Sequence, residues 1–243
     1  MDSTHTPPSA AESLHVLLAS NHEIAEFLNE LAKLAAFEVI GPTEGYCAIL
    51  LSRNRRKTVV GHSSQTAKDL DETQAGFDEG PCLEAQLQHK VILSHDVREE
   101  ARWPRYMAML RTSDIRSVVA APLSLGDTAT AAMNFYALEP EAFTAEDIDE
   151  AQQFASLASL AVSVALRIAD AAEVAEDRQQ AMESRTAIDI AIGIIMAQQG
   201  CSQEEAFDLL AQVSSVRNVK VRDLAENLVA SVGKGTPKTA FDA

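Results

Sequence analysis

Residues Thr144 to Gln199 read TAEDIDEAQQFASLASLAVSVALRIADAAEVAEDRQQAMESRTAIDIAIGIIMAQQ. The stretch holds no proline, and its only glycine is Gly193. An average globular helix runs roughly 10–14 residues. A segment several times longer predicts a coiled coil, or one helix continuing from one domain into the next. Ile148, Ala151, Ala155, Ala158, Val162, Ala165, Ala169 and Ala172 alternate steps of three and four. That spacing predicts the apolar seam of a two-helix contact, and Ile148 to Ala165 are its expected dimer seam. A second stripe, Leu157, Ala161, Val164 and Ile168, lies on another face. A helix with two apolar faces packs on its own domain with one and on a partner helix with the other.

Outward from that helix, composition sets limits. The chain has 243 residues, enough for one large or two small domains. Its hydrophobic share of 47% is ordinary for a globular protein. No uninterrupted apolar run approaches the roughly 20 residues of a membrane span, and Met1-Asp2-Ser3-Thr4-His5 does not resemble a signal peptide. Cys47, Cys82 and Cys201 are odd in number and form no CxxC, so the expected compartment is the cytoplasm. A net charge of -16 argues against broad non-specific binding to nucleic acid or anionic membrane, while leaving room for a local basic face.

Residues 1–12 read as a disordered tail around Pro7-Pro8. Ser13 to Val39 reads as one helix, with Leu14, Leu17, Ile24, Leu28, Leu31 and Ala35 on its seam, Asn21 filling a gap, and Gly41-Pro42 ending it. Tyr46–Leu51 and Lys57–His62 read as a hairpin around Arg53-Asn54-Arg55-Arg56. Gly80-Pro81 opens a helix with proline at its first position. Val91–Leu93 is a short strand, and Trp103–Arg111 a short helix. Ser117–Leu125 and Ala129–Tyr136 form a hairpin around Gly126-Asp127. Thr144 and Asp147 form a capping box for the long helix. Strands interleaved with short helices predict an α+β antiparallel sheet domain with flanking helices.

Beyond Ser184 three amphipathic segments follow. Ile188, Ala191, Ile192 and Ile195 mark the first. Gly200 closes it, and Ser202 with Glu205 caps the second, whose stripe is Ala206, Leu209, Leu210 and Val213. Asn218 is the expected cap of the third, which carries Val221, Leu224, Ala225, Leu228, Val229 and Val232. Residues 232–243 read as a loose tail broken by Gly233, Gly235 and Pro237.

Residues 43–168 resemble a GAF domain of the type found in actinobacterial sensor-regulators. The resemblance rests on Gln74, Gly80-Pro81-Cys82, Asp96, Arg102-Trp103-Pro104, Arg116-Ser117, Ala121-Pro122-Leu123, Asn134-Phe135-Tyr136 and Ala142-Phe143, in that order. It implies a small-molecule or redox sensing module with a pocket on one face of the sheet, and names no ligand. The C-terminal segment resembles the ANTAR domain, through Arg185, Ile188, Ala191, Gly193, Ile194, Met196, Gly200, Ser202, Glu205-Ala206-Phe207, Leu210, Ser214, Asn218, Lys220, Asp223-Leu224-Ala225 and Val229. That resemblance implies a three-helix RNA-binding antitermination module, paired in a homodimer, recognising twin hairpin loops of a leader transcript. The expected layout is a GAF-like sensor over 13–168, a helical linker over 169–183 and an ANTAR module over 184–231.

Arg185, Ala191, Gly193, Phe207, Asn218 and Lys220, which carry the resemblance, are the expected RNA-binding residues together with the basic Arg217 and Arg222; for Arg217, Lys220 and Arg222 ordinary solvated surface is the alternative. Phe207 turns roughly 100° from Ala206, so it projects off the core stripe, where a ring can stack a flipped-out base or pad the module's edge. The family pattern carries a lysine where Ile192 stands and an arginine where Ala211 stands, so two phosphate contacts are missing. Gly193 inside a helix costs about 1 kcal/mol relative to alanine, and close helix packing is the favoured explanation. Cys47, Phe77, Cys82, Trp103, Tyr106, Met133 and Phe135 are the candidate sensor pocket, or simply the core of the sheet domain.

The histidines show no metal-ligand spacing; His15 and His22 share a helix face without a third ligand. No cofactor is evident, and the sensor's small-molecule effector is unknown. Cys82 near a helix start leaves a redox role open. No phosphate loop, HExxH or GxSxG occurs, so a non-enzyme is expected. Two other readings stand beside antitermination: a dimeric protein-interaction adaptor that has lost RNA binding, and a redox or ligand sensor acting on a protein partner.

Overall fold

A computed structural model describes residues 9–20, 23–41, 44–53, 56–126 and 129–232, without the side chains of residue 53 and residues 56–60. Helix α1 (Ala10–Ser20) starts inside the stretch expected to be disordered. Ser9 and Glu12 form a capping box: the Ser9 amide reaches the Glu12 carboxylate at 2.8 Å, and the Glu12 amide reaches Ser9 Oγ at 3.3 Å. Residues 1–8, Asn21, His22, Pro42 and 233–243 lie outside the described residues. The single helix expected over Ser13–Val39 is instead two. Glu23 takes an extended conformation, and α2 (Ile24–Ala35) begins after it and runs into a π-helical turn, Ala36–Ile40.

The strands are β1 (Gly45–Arg53), β2 (Arg56–His62), β3 (Ile92–Ser94), β4 (Ser117–Leu123) and β5 (Ala129–Ala137). They form an antiparallel sheet in the order β2-β1-β5-β4-β3. The β1–β2 turn residues Asn54 and Arg55, and Asp127 of the β4–β5 turn, lie outside the described residues. Pro122 has no amide hydrogen to give; it lies past the three pairs that join β3 to β4, where a missing donor costs no ladder bond to β3.

Between the strands lie α3 (Gln65–Phe77), α4 (Pro81–Gln88) and α5 (Pro104–Leu110). Helix α3 is absent from the sequence reading. Its signals are Ser64, whose side chain accepts from the Ala67 amide, and the buried set Ala67, Leu70, Asp71 and Gln74 at helical spacing. Two polar residues on that stripe hide its periodicity.

Side chains alternate across each strand, so the sheet separates two cores. Cys47, Ile49 and Leu51 of β1 join Met133 and Phe135 of β5 on the face covered by α1, α2 and the long helix α6 (Ala145–Gln199). Ala48, Leu50, Ala132 and Tyr136 share the other face with α3, α4 and α5. Thr144 and Asp147 cap α6 reciprocally, at 2.7 and 3.3 Å.

The expected dimer seam needs correction. Ala151, Ala155, Ala158, Val162 and Ala165 are buried in the chain's own core, and Ile148 packs against it. Those side chains share a core with residues of the sheet and α2, and this consumes the surface a partner would need. The second stripe remains outside: Leu157 and Val164 are about half exposed, with Leu160 (71%) and Ile168 (50%) beside them, although Ala161 is buried. One 18-residue window of α6 reaches a mean hydropathy of 1.5, so by length and composition alone this helix passes the test for a membrane span that the sequence reading found no run to meet. Its Ala151–Leu166 face is packed against protein instead.

The chain divides into two compact units, residues 1–169 and 170–243. In the second, the end of α6 is followed by α7 (Gln203–Arg217) and α8 (Val221–Val232) around Ala187, Ala191, Leu210, Ala225 and Val229. Ser202 and Glu205 form the expected capping box. Leu209 and Val213 are exposed rather than core, because Leu210 and Ser214 take the inner face. Asn218 closes α7 in the left-handed conformation (φ 51°) instead of opening α8. Val232 is the last helical residue, not tail.

Candidate functional site

The candidate pocket residues do not share a site. Cys47, Met133 and Phe135 point to the α6 face of the sheet, while Phe77, Cys82, Trp103 and Tyr106 belong to the α3–α5 face. Strand alternation separates them: Phe135 and Tyr136 are neighbours in β5 and point opposite ways.

The α3–α5 face carries a polar cluster deep in its core. Asp71 of α3 is fully buried. Its Oδ1 accepts from Asn134 Nδ2 at 2.6 Å and from the Tyr136 hydroxyl, which lies 3.0 Å from the Tyr106 hydroxyl. Burial pushes the Asp71 carboxyl up to about 6, against the lowering effect of those two donors. Asp71 Oδ2 and Asn134 Oδ1 are buried without any hydrogen-bond partner. The sequence signal for this cluster was a carboxylate on an apolar helix stripe, and it was missed along with α3.

Gln74 lies one turn on from Asp71. With its amide oriented to satisfy its neighbours, its oxygen accepts from the Cys82 and Leu83 amides at 3.0 and 3.3 Å, which caps the start of α4. A Cβ at Gly80 (φ +137°) would stand 2.6 Å from Gln74 Cδ, so glycine is required there twice over. Trp103 donates from Nε1 to Glu84 at 2.9 Å, and Glu79 accepts the Arg105 and Tyr106 amides that open α5. Above them lies an open groove of about 760 Å³, lined by Asp78, Glu79, Gly80, Glu84, Gln86 and Trp103, among others. Burial pushes the Cys82 thiol up, and Asp71 adds to this, so the thiolate that a redox role would use is disfavoured. Among the described residues no group of three or more His, Cys, Asp or Glu side chains could hold a metal ion.

In the second unit Phe207 is 44% exposed, one position from buried Ala206. Arg185, Arg217, Asn218 and Lys220 are also exposed. Arg222 is engaged by Asp223 at 3.3 Å, and Arg185 stands 3.9 Å from Asp189 with most of its side chain in solvent. Ala191 is fully buried and cannot touch RNA. Gly193 is exposed, and a Cβ there would meet nothing within 4 Å, so close helix packing inside the chain does not explain it. Ile192, where the family pattern has lysine, is buried beside Ala191.

A GAF domain model matches residues 21–163, more than half the chain, and an ANTAR domain model matches residues 176–229. The chain belongs to the GAF–ANTAR regulators. Its domain pair makes it, in general terms, a sensor-regulated RNA-binding antitermination regulator. No curated protein matches it. Among solved structures, this GAF–ANTAR regulator is similar to the free methionine-R-sulfoxide reductase of Neisseria meningitidis, at 16% identity, covering 70% of this chain and 99% of that one with a TM-score of 0.49. It is also similar to the GAF domain of the cyanobacteriochrome TePixJ (16%, 67% and 98%, TM-score 0.47) and to that of an Acinetobacter phosphoenolpyruvate-protein phosphotransferase (12%, 65% and 93%, TM-score 0.48).

Proposed function

We propose that this GAF–ANTAR regulator acts as a cytoplasmic homodimer whose paired ANTAR modules bind hairpin loops of a nascent transcript, under control of an effector on the GAF unit. The observation that carries the RNA reading is the exposure of Phe207 in a module that also exposes Arg217 and Lys220. An unstacked loop base gains roughly 1–3 kcal/mol on such a ring, and the cations meet its phosphates. The open space above Gly193 supports close approach of an RNA backbone to α6.

The dimer reading moves to the stripe Leu157, Leu160, Val164 and Ile168, which the chain itself leaves uncovered. Pairing two such stripes buries apolar surface and doubles the number of RNA modules, and avidity then offsets the lost basic residues at 192 and 211. An effector shifts this assembly only by binding one arrangement better than another. The reading assigns no catalytic step.

A second reading, a protein-interaction adaptor, is favoured by a groove of about 450 Å³ in the second unit, lined by Ile195, Leu209, Val213, Arg217, Leu224 and Leu228. RNA captured from cells by cross-linking separates the two. Enrichment of paired hairpin loops that disappears in Phe207→Ala and Lys220→Ala supports antitermination. A folded dimer that captures no RNA, with or without cell extract supplying effectors, overturns it in favour of the adaptor.

A further inference from the structure

We propose that the α3–α5 face of the GAF unit receives a small ligand bearing a protonated amine, held between Asp71 and Asn134. This rests on the reading of that unit as a sensor and names the chemistry it senses. Buried acceptors without donors are rare in folded proteins, because each forfeits its hydrogen bonds to water. Here two occur on adjoining side chains, Asp71 Oδ2 and Asn134 Oδ1, both in fully buried residues. The groups facing Asp71 are Tyr136 from β5, Asn134 from β5, Gln74 on its own helix, and Cys82 and Tyr106 from α4 and α5. Among the described residues none of these is basic, so the cluster has surplus negative character and acceptors without a cationic donor.

An ammonium group supplies that lack: it brings one positive charge and three N–H donors. A metal ion fits less well, since Asp71 is the only carboxylate in the cluster and Mg²⁺ or Ca²⁺ needs six or more oxygens. Anionic ligands are disfavoured both by Asp71 and by the groove outside, where Asp78, Glu79 and Glu84 line the rim.

The groove and the acceptor pair are one side chain apart. Gly80 lines the groove and abuts Gln74, and Gln74 stands 3.3 Å from Asn134. Rotation of Gln74 about its side-chain bonds would open the way, and the amine would then give Asp71 Oδ2 and Asn134 Oδ1 the donors they lack. Tyr106 and Tyr136, in the core, add aromatic surface suited to a cation, while the Trp103 ring at the groove already carries Arg102 at 4.3 Å.

The test uses the full chain, with propylammonium and benzylammonium chlorides as probes and sodium propionate and sodium chloride as controls. At pH 7.5 an amine at ten times its dissociation constant should raise Tm by about 4 °C, while the controls leave it unchanged. The rise should shrink below pH 6, where the carboxyl takes up a proton, and vanish in Asp71→Asn. If Asp71→Asn does not fold, the carboxyl carbon resonance of Asp71 in the wild type serves instead: saturating amine should hold it ionised at least one pH unit lower. An amine effect no larger than that of sodium chloride, an effect retained in Asp71→Asn, or an unmoved carboxyl titration would overturn the proposal. RNA capture by the same preparation is scored separately, so failure of amine binding is distinguishable from failure of the antitermination reading.

Discussion

Replacing Gly193 by alanine should make the protein more stable and a poorer RNA binder. Gly193 lies inside α6, its backbone has no positive φ, and an added methyl group meets no atom within 4 Å. No steric term opposes the substitution, so intrinsic propensity decides: alanine gains about 1 kcal/mol over glycine in a helix interior. For a chain of this size that raises Tm by about 2–4 °C. If RNA backbone approaches α6 at this point, the same methyl group displaces it by about a carbon's width, and loss of one phosphate contact costs roughly tenfold in affinity. Thermal unfolding by circular dichroism and filter binding to a captured hairpin RNA measure the two effects on one preparation. A stabilised variant with unchanged affinity would refute the argument and leave the glycine without a binding role. A destabilised one would show that α6 is packed against something in solution at this position.

At Gly80 the expectation reverses. Gly80→Ala combines a forbidden φ with a 2.6 Å contact to a buried side chain, and should cost about 3 kcal/mol in urea unfolding; a loss below 0.5 kcal/mol would contradict the Gln74 packing. Asp71 should make stability fall as pH rises. Its folded carboxyl titrates near 6 against 3.8 when unexposed to these surroundings, so the folded state binds the extra proton. Stability should therefore drop by roughly 3 kcal/mol in all between about pH 3 and 7 and then level off, with no such slope in Asp71→Asn. If the proposed dimer forms through this stripe, Leu160→Asp should make the chain monomeric in sedimentation without unfolding it, whereas Ala158→Asp, at a fully buried position, should unfold the GAF unit; a Leu160→Asp variant with the wild-type sedimentation would refute this interface. Three exposed cations per module, Arg185, Arg217 and Lys220, predict a log–log salt slope of about -2 for one module on unpaired RNA and about -4 for two.

The long helix, the five strands and the capping boxes at Thr144 and Ser202 were legible because each is a local signal: a run without breakers, an alternation, or a pair at spacing three. What was not legible is what depends on the third dimension. The spacing of Ile148 to Ala165 correctly marks a buried stripe, but spacing cannot say whether the covering surface belongs to the same chain or to another. The pocket assignment failed for a related reason. Cys47, Phe135 and Trp103 are all apolar and all buried, but the parity of positions along β1 and β5 turns Cys47 and Phe135 to one face of the sheet, while Trp103, at the start of α5, lies on the other. Asp71 was lost because a buried carboxylate contradicts the pattern used to find buried helices. Such a violation of patterning is where a functional group is expected.

The two cores also bear on how a signal would leave the GAF unit. The polar cluster touches β5 through Asn134 and Tyr136, while Met133 and Phe135, the residues interleaved with them, share a core with α6. A ligand that separates Asn134 from Asp71 must act on a strand whose next residue packs toward the helix, so the shortest physical route runs through the β5 backbone rather than around the sheet. Beyond Leu166, α6 is exposed on nearly every residue as far as Arg185. An isolated helix of that length is only marginally stable in water. Its i,i+4 contacts, such as Gln179 to Glu183 at 2.8 Å, add a few tenths of a kcal/mol each. A second chain lying along Leu157, Val164 and Ile168 would bury apolar surface up to the start of that stretch and stabilise it. On this account the effector works by strengthening or weakening helix pairing, and hydrogen exchange should report it: protection of residues 167–185 should change with ligand, while protection of α7 and α8 should not. Uniform protection in both states would place the switch outside α6.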